Sequence, residues 1–312
     1  MRPVLFDTDI GSDCDDAVAL GLLLQASERL ELVAVTTVSS RPTVRAEIAA
    51  SLLALAGRGG VDVCAGSAGG LNRSDQQFNW FGYEADCVTP GQPTAFSSEE
   101  AATRIVRAAQ EHPGLEILMV GPMTNLARAL ALDPGLPERA RVTIMGGHVR
   151  EARLGDFVCP FGIDYNLCSD PEASMSVLGA GFETTLVTAD VTLQTWLREE
   201  DLERLRQGSA LTRELARQID YWNPVQRKIF TGMGGTLTDD NVSFLHDPLT
   251  VQALIDPDCL HFESLRIVPT IAGGVLRTQE TTDPNLGAEM RVATAVDAPT
   301  ARDAIVARLL AE

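Results

Sequence analysis

The chain has 312 residues, 45% of them hydrophobic and 22% charged, a composition that allows a sizeable core within one α/β domain spanning 1–312. A formal net charge of −18 argues against a nucleic-acid polymer or an anionic membrane face as partner, because phosphate contacts need clustered Lys and Arg. The six cysteines (14, 64, 87, 159, 168 and 259) form no C-x-x-C pair and match no zinc spacing. Reduced thiols, no signal peptide in MRPVLFDTDI and no apolar run of membrane-spanning length together predict a cytoplasmic protein.

The elements alternate from the start. Val4–Phe6 reads as a short strand, Ala17–Leu24 as a buried helix, and the β-branched Leu32–Val38 as a second strand. Thr43–Leu55 reads as a helix stopped by Gly57, and Val61–Cys64 as a third strand. Strands alternating with crossover helices predict a mostly parallel central sheet flanked by helices, a Rossmann-like α/β fold. The pattern continues with a helix at Glu99–Gln110, a strand at Leu115–Val120 ending in Gly121-Pro122, and a helix at Thr124–Leu132. A strand at Arg141–Met145, a helix at Pro171–Leu178 and a strand at Thr184–Thr188 follow. Glu199–Gln218 reads as mostly helical, Leu249–Leu254 as the start of another helix, Leu265–Pro269 and Met290–Ala295 as late strands, and Thr300–Leu310 as a terminal helix. Residues 66–98 and 148–166 lack a clear period, and the glycine-rich TGMGGTLTDDN at 231–241 reads as a loop.

The segment VLFDTDIGSDCDDAVAL sets five aspartates, 7, 9, 13, 15 and 16, within ten residues at the end of the first strand and the start of the next helix. In an open parallel sheet, ligands bind at that edge. So many carboxylates repel one another unless some protonate or a cation neutralises them, and hard oxygen donors favour Ca²⁺ or Mg²⁺ over zinc. Helix capping, with Ser12 and Asp15 as a capping box, accounts for one or two of the acids but not for Asp7 and Asp9 in the strand before. A D-x-D after a first strand also occurs in dehalogenase-type phosphatases, which use Mg²⁺ and need a basic residue to hold the phosphoryl group. Against that reading, Lys228 is the one lysine of the chain and Ile10-Gly11 follows Asp9.

With DTDIGSDCDD set beside GPMTNLARAL (121–130), VTIMGGHV (142–149), DYNLCSDPEAS (164–174) and SFLHDPLTVQALID (243–256), the chain resembles the nucleoside hydrolase family. The motifs occur in the family's order from about residue 4 to the last helix. The resemblance implies hydrolysis of the N-glycosidic bond of a ribonucleoside, with Ca²⁺ as cofactor, a small-molecule nucleoside as partner and a homodimer or homotetramer as assembly. It implies that Asp9, Asp16, Asp247 and the Val120 carbonyl hold Ca²⁺, that Asp15, Asn166 and Asp247 hold the ribose hydroxyls, that Asp9 is general base on a calcium-bound water, and that Asp7 buttresses the cluster. The chemistry suits these residue types, since carboxylates stabilise an oxocarbenium-like sugar and a nearby Asp can take a proton from the attacking water.

His246 is the candidate acid for the leaving base, or else packs there for shape; Tyr221, Trp222 and Phe230 are candidates to stack on the base, or else core. Several positions depart from the family pattern. Asp9 and Asp15 are six apart here and four apart in the common pattern, which makes Asp13 an extra acid. Arg41 stands near the family's Asn after the second strand, Asp164 replaces a Glu, and Phe81-Gly82 replaces a His-Gly. These departures fall where the 5′ end and base would lie, so Arg41 is a candidate for an anionic 5′ group, or a surface arginine beside Pro42. An N-glycosidase for an unusual or 5′-substituted nucleoside, and a Ca²⁺-dependent nucleoside- or ribose-binding protein without turnover, remain as alternatives.

Overall fold

Strand β1 (Arg2–Thr8) is buried from Val4 onward, and its alternating side chains feed two cores. Val4 and Phe6 join a cluster with helices on one face of the sheet, while Leu5 joins a cluster on the other. The same alternation turns Asp7 towards the second face and Thr8 towards the first. The computed structural model describes residues 1–72 and 96–311.

After β1 come α1 (Asp15–Gln25), β2 (Leu30–Thr37), α2 (Pro42–Leu55), β3 (Asp62–Ala65), α3 (Ala101–Glu111), β4 (Leu115–Met119), α4 (Thr124–Leu132) and β5 (Ala140–Met145). A two-stranded hairpin, β6 (Arg153–Leu154) and β7 (Phe157–Val158), precedes α5 (Tyr165–Ser169), α6 (Pro171–Leu178), β8 (Glu183–Val187), α7 (Ala189–Thr192) and β9 (Trp196–Leu197). Then follow α8 (Glu199–Gln207), α9 (Ala210–Gly232), β10 (Ser243–Phe244), α10 (His246–Ile255), β11 (Leu260–Ala272), β12 (Val275–Glu280), β13 (Ala288–Val296) and α11 (Ala298–Leu309).

Among the described residues, nine strands form one sheet in the order β12-β11-β13-β8-β5-β4-β1-β2-β3. Seven of them, from β13 to β3, run parallel, and β11 and β12 close one edge antiparallel. The expected mostly parallel α/β fold is therefore present. The chain leaves β1 towards β2 and β3 on one side and later fills β4, β5 and β8 on the other. The crevice at the C-terminal ends of β1 and β4 is thus a topological switch point, the place where such sheets bind ligands.

Three expectations change. The helix read across Glu199–Gln218 is two helices: the chain breaks at Gly208, and the Ser209 hydroxyl accepts from Thr212 N to start α9 afresh. That second helix runs through Pro224 to Gly232, beyond the expected end. The late strand is longer than Leu265–Pro269: β11 turns at Gly273-Gly274 into β12, which the sequence reading missed. Pro269 is tolerated there because it lies past Ile267, the last residue paired with β13. Finally, Ser12 does not cap α1. The N-cap is Cys14, and the Asp13 carboxylate accepts from the backbone N–H groups of Cys14 and Asp15 at 2.7 and 3.4 Å.

Candidate active site

Three carboxylates converge at the switch point. Asp15 and Asp16 open α1, Asp247 opens α10, all three are buried, and one oxygen from each lies within 4.8 Å of the others. The two helix N-termini bring together residues 232 apart in sequence, and the Asp247 N–H donates to Asp15 Oδ2 at 3.0 Å. Positive ends of two helix dipoles favour negative charge at this point. On the β1 side, the Thr8 hydroxyl donates to Asp16 Oδ1 and also accepts from Ile10 N.

Asp9 lies just past β1 and is buried beside this group. Its backbone and Oδ1 pack directly on Gly121, where an added Cβ would come within 2.9 Å of Asp9 N and 3.0 Å of Oδ1. Asp7 faces away from Thr8 and α1, as the strand alternation requires. Its Oδ2 accepts from Thr36 Oγ1 at 2.6 Å and from Asn125 Nδ2 at 2.8 Å, which ties β1 to β2 and α4, while the buried Oδ1 has no hydrogen-bond partner among the described residues. Asn125 also donates to the Thr37 carbonyl and accepts from Ser67 N.

Asn166, in α5, is buried and reaches the same crevice. Its Nδ2 donates to the Val120 carbonyl at 2.8 Å and to the Met145 carbonyl at 3.1 Å. Asp164 caps α5 by accepting from Leu167 N, and its second, buried oxygen has no hydrogen-bond partner among the described residues. His246 sits between Phe244, ring centroids 5.1 Å apart, and Thr192, whose hydroxyl lies 2.6 Å from Nδ1. Phe230 of α9 packs at a tilt against Phe244, ring centroids 5.1 Å apart, and Phe244 in turn meets His246. Trp222 is buried within the core around α1 and α9, and Tyr221 packs against that core. Arg41 is exposed at the start of α2, and Phe81 lies outside the described residues.

Arg45 was not anticipated. It lies one and two turns from Ile48, Ala49 and Leu52 on the buried stripe of α2, and a charge on such a stripe was the available signal. Its guanidinium donates to the Asp9 and Ile10 carbonyls, to the Ser39 carbonyl and to Ser12 Oγ. The β2–α2 turn that supplies Ser39 holds Ser39 and Ser40 at φ of 79° and 53°, unusual for residues with a side chain.

Electrostatics follow from this burial. Burial, then repulsion from Asp9 and Asp15, pushes the Asp16 carboxyl well above the usual range; Asp247 and Asp13 are raised the same way, by burial and then by neighbouring acids. Burial lifts Asp15 to about 6 and Asp7 to about 7, against the hydrogen bonds that Asp247 N gives the first and Thr36 and Asn125 give the second. Asp164 is raised to about 6 by burial, and the His246 imidazole is held down to about 4 by burial. Crowded carboxylates that resist ionisation alone become stable anions around a cation. An all-oxygen set of this kind fits a hard divalent ion, so Asp15, Asp16 and Asp247 can bind a metal, with Asp9 adjacent.

A family model described as inosine-uridine preferring nucleoside hydrolase matches residues 4–303. Similar proteins include the pyrimidine-specific ribonucleoside hydrolase RihA of Shewanella oneidensis, 28% identical over 263 residues covering 82% of this chain and 78% of the relative. The RihA of Shewanella sp. strain MR-4 is 30% identical over 266 residues, with 82% and 78% covered. Among solved structures, the plant nucleoside hydrolase PpNRh1 matches with a TM-score of 0.84 at 23% identity, covering 100% of this chain and 99% of that one. A purine-preferring ribonucleoside hydrolase from Gardnerella vaginalis matches at 0.81 and 23% identity, covering 99% and 98%.

Proposed function

The chain belongs to the inosine-uridine preferring nucleoside hydrolase family and is a nucleoside N-ribohydrolase, and on that premise we propose how its residues divide the work. Asp9, Asp16, Asp247 and the Val120 carbonyl hold Ca²⁺; Asp15, Asn166 and Asp247 hold the ribose hydroxyls; Asp9 takes the proton of the attacking water. The observation that carries this reading is the convergence of buried carboxylates from α1 and α10 beside Asp9 at the β1 edge.

When bound, Ca²⁺ would supply Lewis acidity for the water and a fixed point for the 2′,3′-diol. Asp9 is buried with its backbone pinned from two sides, so its carboxylate is preorganised to accept a proton. As the glycosidic bond lengthens, the sugar gains oxocarbenium character, and the ring of acids stabilises that charge. Attack from the carboxylate face inverts the anomeric carbon. The departing base gathers negative charge, and we assign His246 to meet it: its N–H donates a hydrogen bond to the leaving nitrogen, and solvent supplies the proton that completes the free base. Burial keeps its imidazole neutral at pH 7, so it acts as a neutral N–H donor. Thr192 Oγ1 lies 2.6 Å from Nδ1, and the proton is on Nε2 in the tautomer that accepts from this hydroxyl. Asn166 holds the Val120 carbonyl and the β5 end in one register, which supports its role beside the sugar. Among the described residues no helix is long and apolar enough to cross a membrane; the same reading makes the chain one cytoplasmic domain that acts as a homo-oligomer.

The test is ribose release from a panel of ribonucleosides, deoxyribonucleosides and 5′-nucleotides, with Ca²⁺ and with chelator. The pyrimidine-specific relatives place uridine and cytidine first in the panel. Release from a ribonucleoside that vanishes in chelator and in Asp9→Ala is the expected result. Ca²⁺ binding without release from any substrate would overturn turnover and leave a binding protein.

A further inference from the structure

Among the described residues the largest side chain fully withdrawn from solvent is Arg45, and three of its hydrogen bonds go to one loop. From α2 its Nη1 donates to the carbonyls of Asp9 and of Ile10, the latter at 2.9 Å, while Nη2 reaches Ser12 Oγ at 3.1 Å. Its Nε is fixed in turn by the Ser39 carbonyl at 2.9 Å. We propose that Arg45 is a positioning residue for the reaction: it clamps the Asp9–Ser12 backbone so that Asp9 and Asp16 stay in register around the cation, and it accommodates the two residues by which this loop exceeds the common family spacing. The proposal rests on the calcium reading above.

Three observations lead to it. The loop from Asp9 to Asp15 has buried carbonyls at residues 9 and 10, which need donors when the chain bulges away from regular pairing. The planar guanidinium can serve two adjacent carbonyls and a hydroxyl at once, which a lysine ammonium on a flexible stem does poorly. The loop has no slack on the opposite side, because Asp9 packs on Gly121 there. Asp9 is therefore held between a glycine that permits its approach and an arginine that fixes its carbonyl.

A plain electrostatic role predicts the opposite sign. Arg45 is near enough to Asp16 to favour that carboxylate's charged form, and a fixed positive charge so close repels a metal ion. If charge were all that mattered, removing it would tighten cation binding. If positioning dominates, removing it loosens binding although a repulsive charge has gone.

The experiment uses the full chain as wild type, Arg45→Met, Arg45→Lys and Ser12→Ala. Ca²⁺ affinity is read by calorimetry, kcat and KM on the best ribonucleoside, and loop order by hydrogen exchange of residues 9–14. For Arg45→Met the expectation is a Ca²⁺ affinity lower by ~10–100-fold and a similar loss in kcat, as for other residues that orient metal ligands. Exchange should accelerate in residues 9–14 and stay unchanged in β4. Arg45→Lys should fall between, and Ser12→Ala should shift affinity the same way by a smaller factor. A folded Arg45→Met protein that binds Ca²⁺ as tightly as wild type, or more tightly, overturns the proposal. Should Arg45→Met not fold, unchanged loop exchange in both Arg45→Lys and Ser12→Ala overturns it equally. A wild type that binds no Ca²⁺ would instead sink the calcium reading, and exchange in Arg45→Lys would still decide whether the clamp exists.

Discussion

Gly121 offers the sharpest test of how rigidly Asp9 is held. A Cβ built there stands 2.9 Å from Asp9 N, 2.9 Å from Val38 Cγ1 and 3.0 Å from Asp9 Oδ1, where ordinary contact begins at 3.4 Å. Gly121→Ala must therefore push the Asp9 peptide by about 0.5 Å, and Arg45 behind it leaves little room to yield. Overpacking of this kind costs about 1–3 kcal/mol. A fold stable by ~5–15 kcal/mol survives that loss. Catalysis is less forgiving: a 1 Å misplacement can lower the rate by ~10²-fold, so half of it should lower kcat by about tenfold. The assay pairs kcat and Ca²⁺ affinity with thermal unfolding. Gly21→Ala is the control, since its Cβ meets only movable leucine ends, Leu215 Cδ1 at 2.9 Å and Leu309 Cδ2 at 3.3 Å, in the core between α1, α9 and α11. It should lose stability and keep kcat. Wild-type kcat and Ca²⁺ affinity in a folded Gly121→Ala protein would refute the idea that Asp9 is held in place from this side.

Removing the metal should lower stability as well as activity. Ca²⁺ at a hundred times its Kd stabilises by about 2.7 kcal/mol, so chelator should lower the melting temperature of the wild type and leave Asp247→Asn unmoved; equal shifts in both would place the ion elsewhere. Glu116, at the far end of the sheet from the site, tests burial alone. Its carboxyl is raised by burial, against a 2.7 Å hydrogen bond from Thr143 Oγ1 and the charge of Arg2. Because the folded chain holds this proton more tightly than the unfolded one, the stabilisation exists below the ordinary carboxylate pKa and is lost as pH rises through the raised value. Glu116→Gln should then raise the melting temperature at pH 8 and not at pH 4, and a lower value at pH 8 would mean that the Arg2 pair outweighs burial. His246→Ala should lose ~10²-fold or more on ribonucleosides, the usual worth of a hydrogen-bond donor to a developing anion. It should lose little on a riboside whose leaving group is stable as an anion, such as 4-nitrophenolate; equal losses on both would reduce His246 to a packing residue.

Much of the fold was legible because its strands and helices alternate at lengths that leave little choice. The alternation around β1 even shows why neighbours part company: Asp7 meets Asn125 of α4 on one face while Thr8 meets Asp16 of α1 on the other. What the sequence hid depended on partners far along the chain. Strand β12 is short, mixed in polarity and supported by β11, so it has little periodicity of its own. The break at Gly208-Ser209 hides because both flanking segments have helical composition. In the site, the acids are conspicuous as a cluster, yet the meeting of Asp15 with Asp247 is set by tertiary packing of α1 on α10. Arg45 was overlooked because a lone arginine in a helix is usually solvated, and only its place on the apolar stripe marks it out.

The arrangement also explains why such a site sits at the mouth of a stable sheet. At separations up to 4.8 Å and an effective dielectric of ~20, each pair of ionised carboxylates among Asp15, Asp16 and Asp247 repels by roughly 3 kcal/mol. Three such pairs rival the whole stability of a domain of this kind. The helix N-termini and the Thr8 hydroxyl offset part of this, and protonation relieves more, as the raised carboxyls indicate. None of these supplies a positive ion among the oxygens. A divalent cation does, and it must displace protons to enter. The repulsion that burdens the empty fold is thus the same interaction that gives the site its affinity. The residues that keep the acids from drifting apart, Gly121 and Arg45 around Asp9, matter because a cluster free to relax would relieve its repulsion by spreading and would lose the geometry that binds.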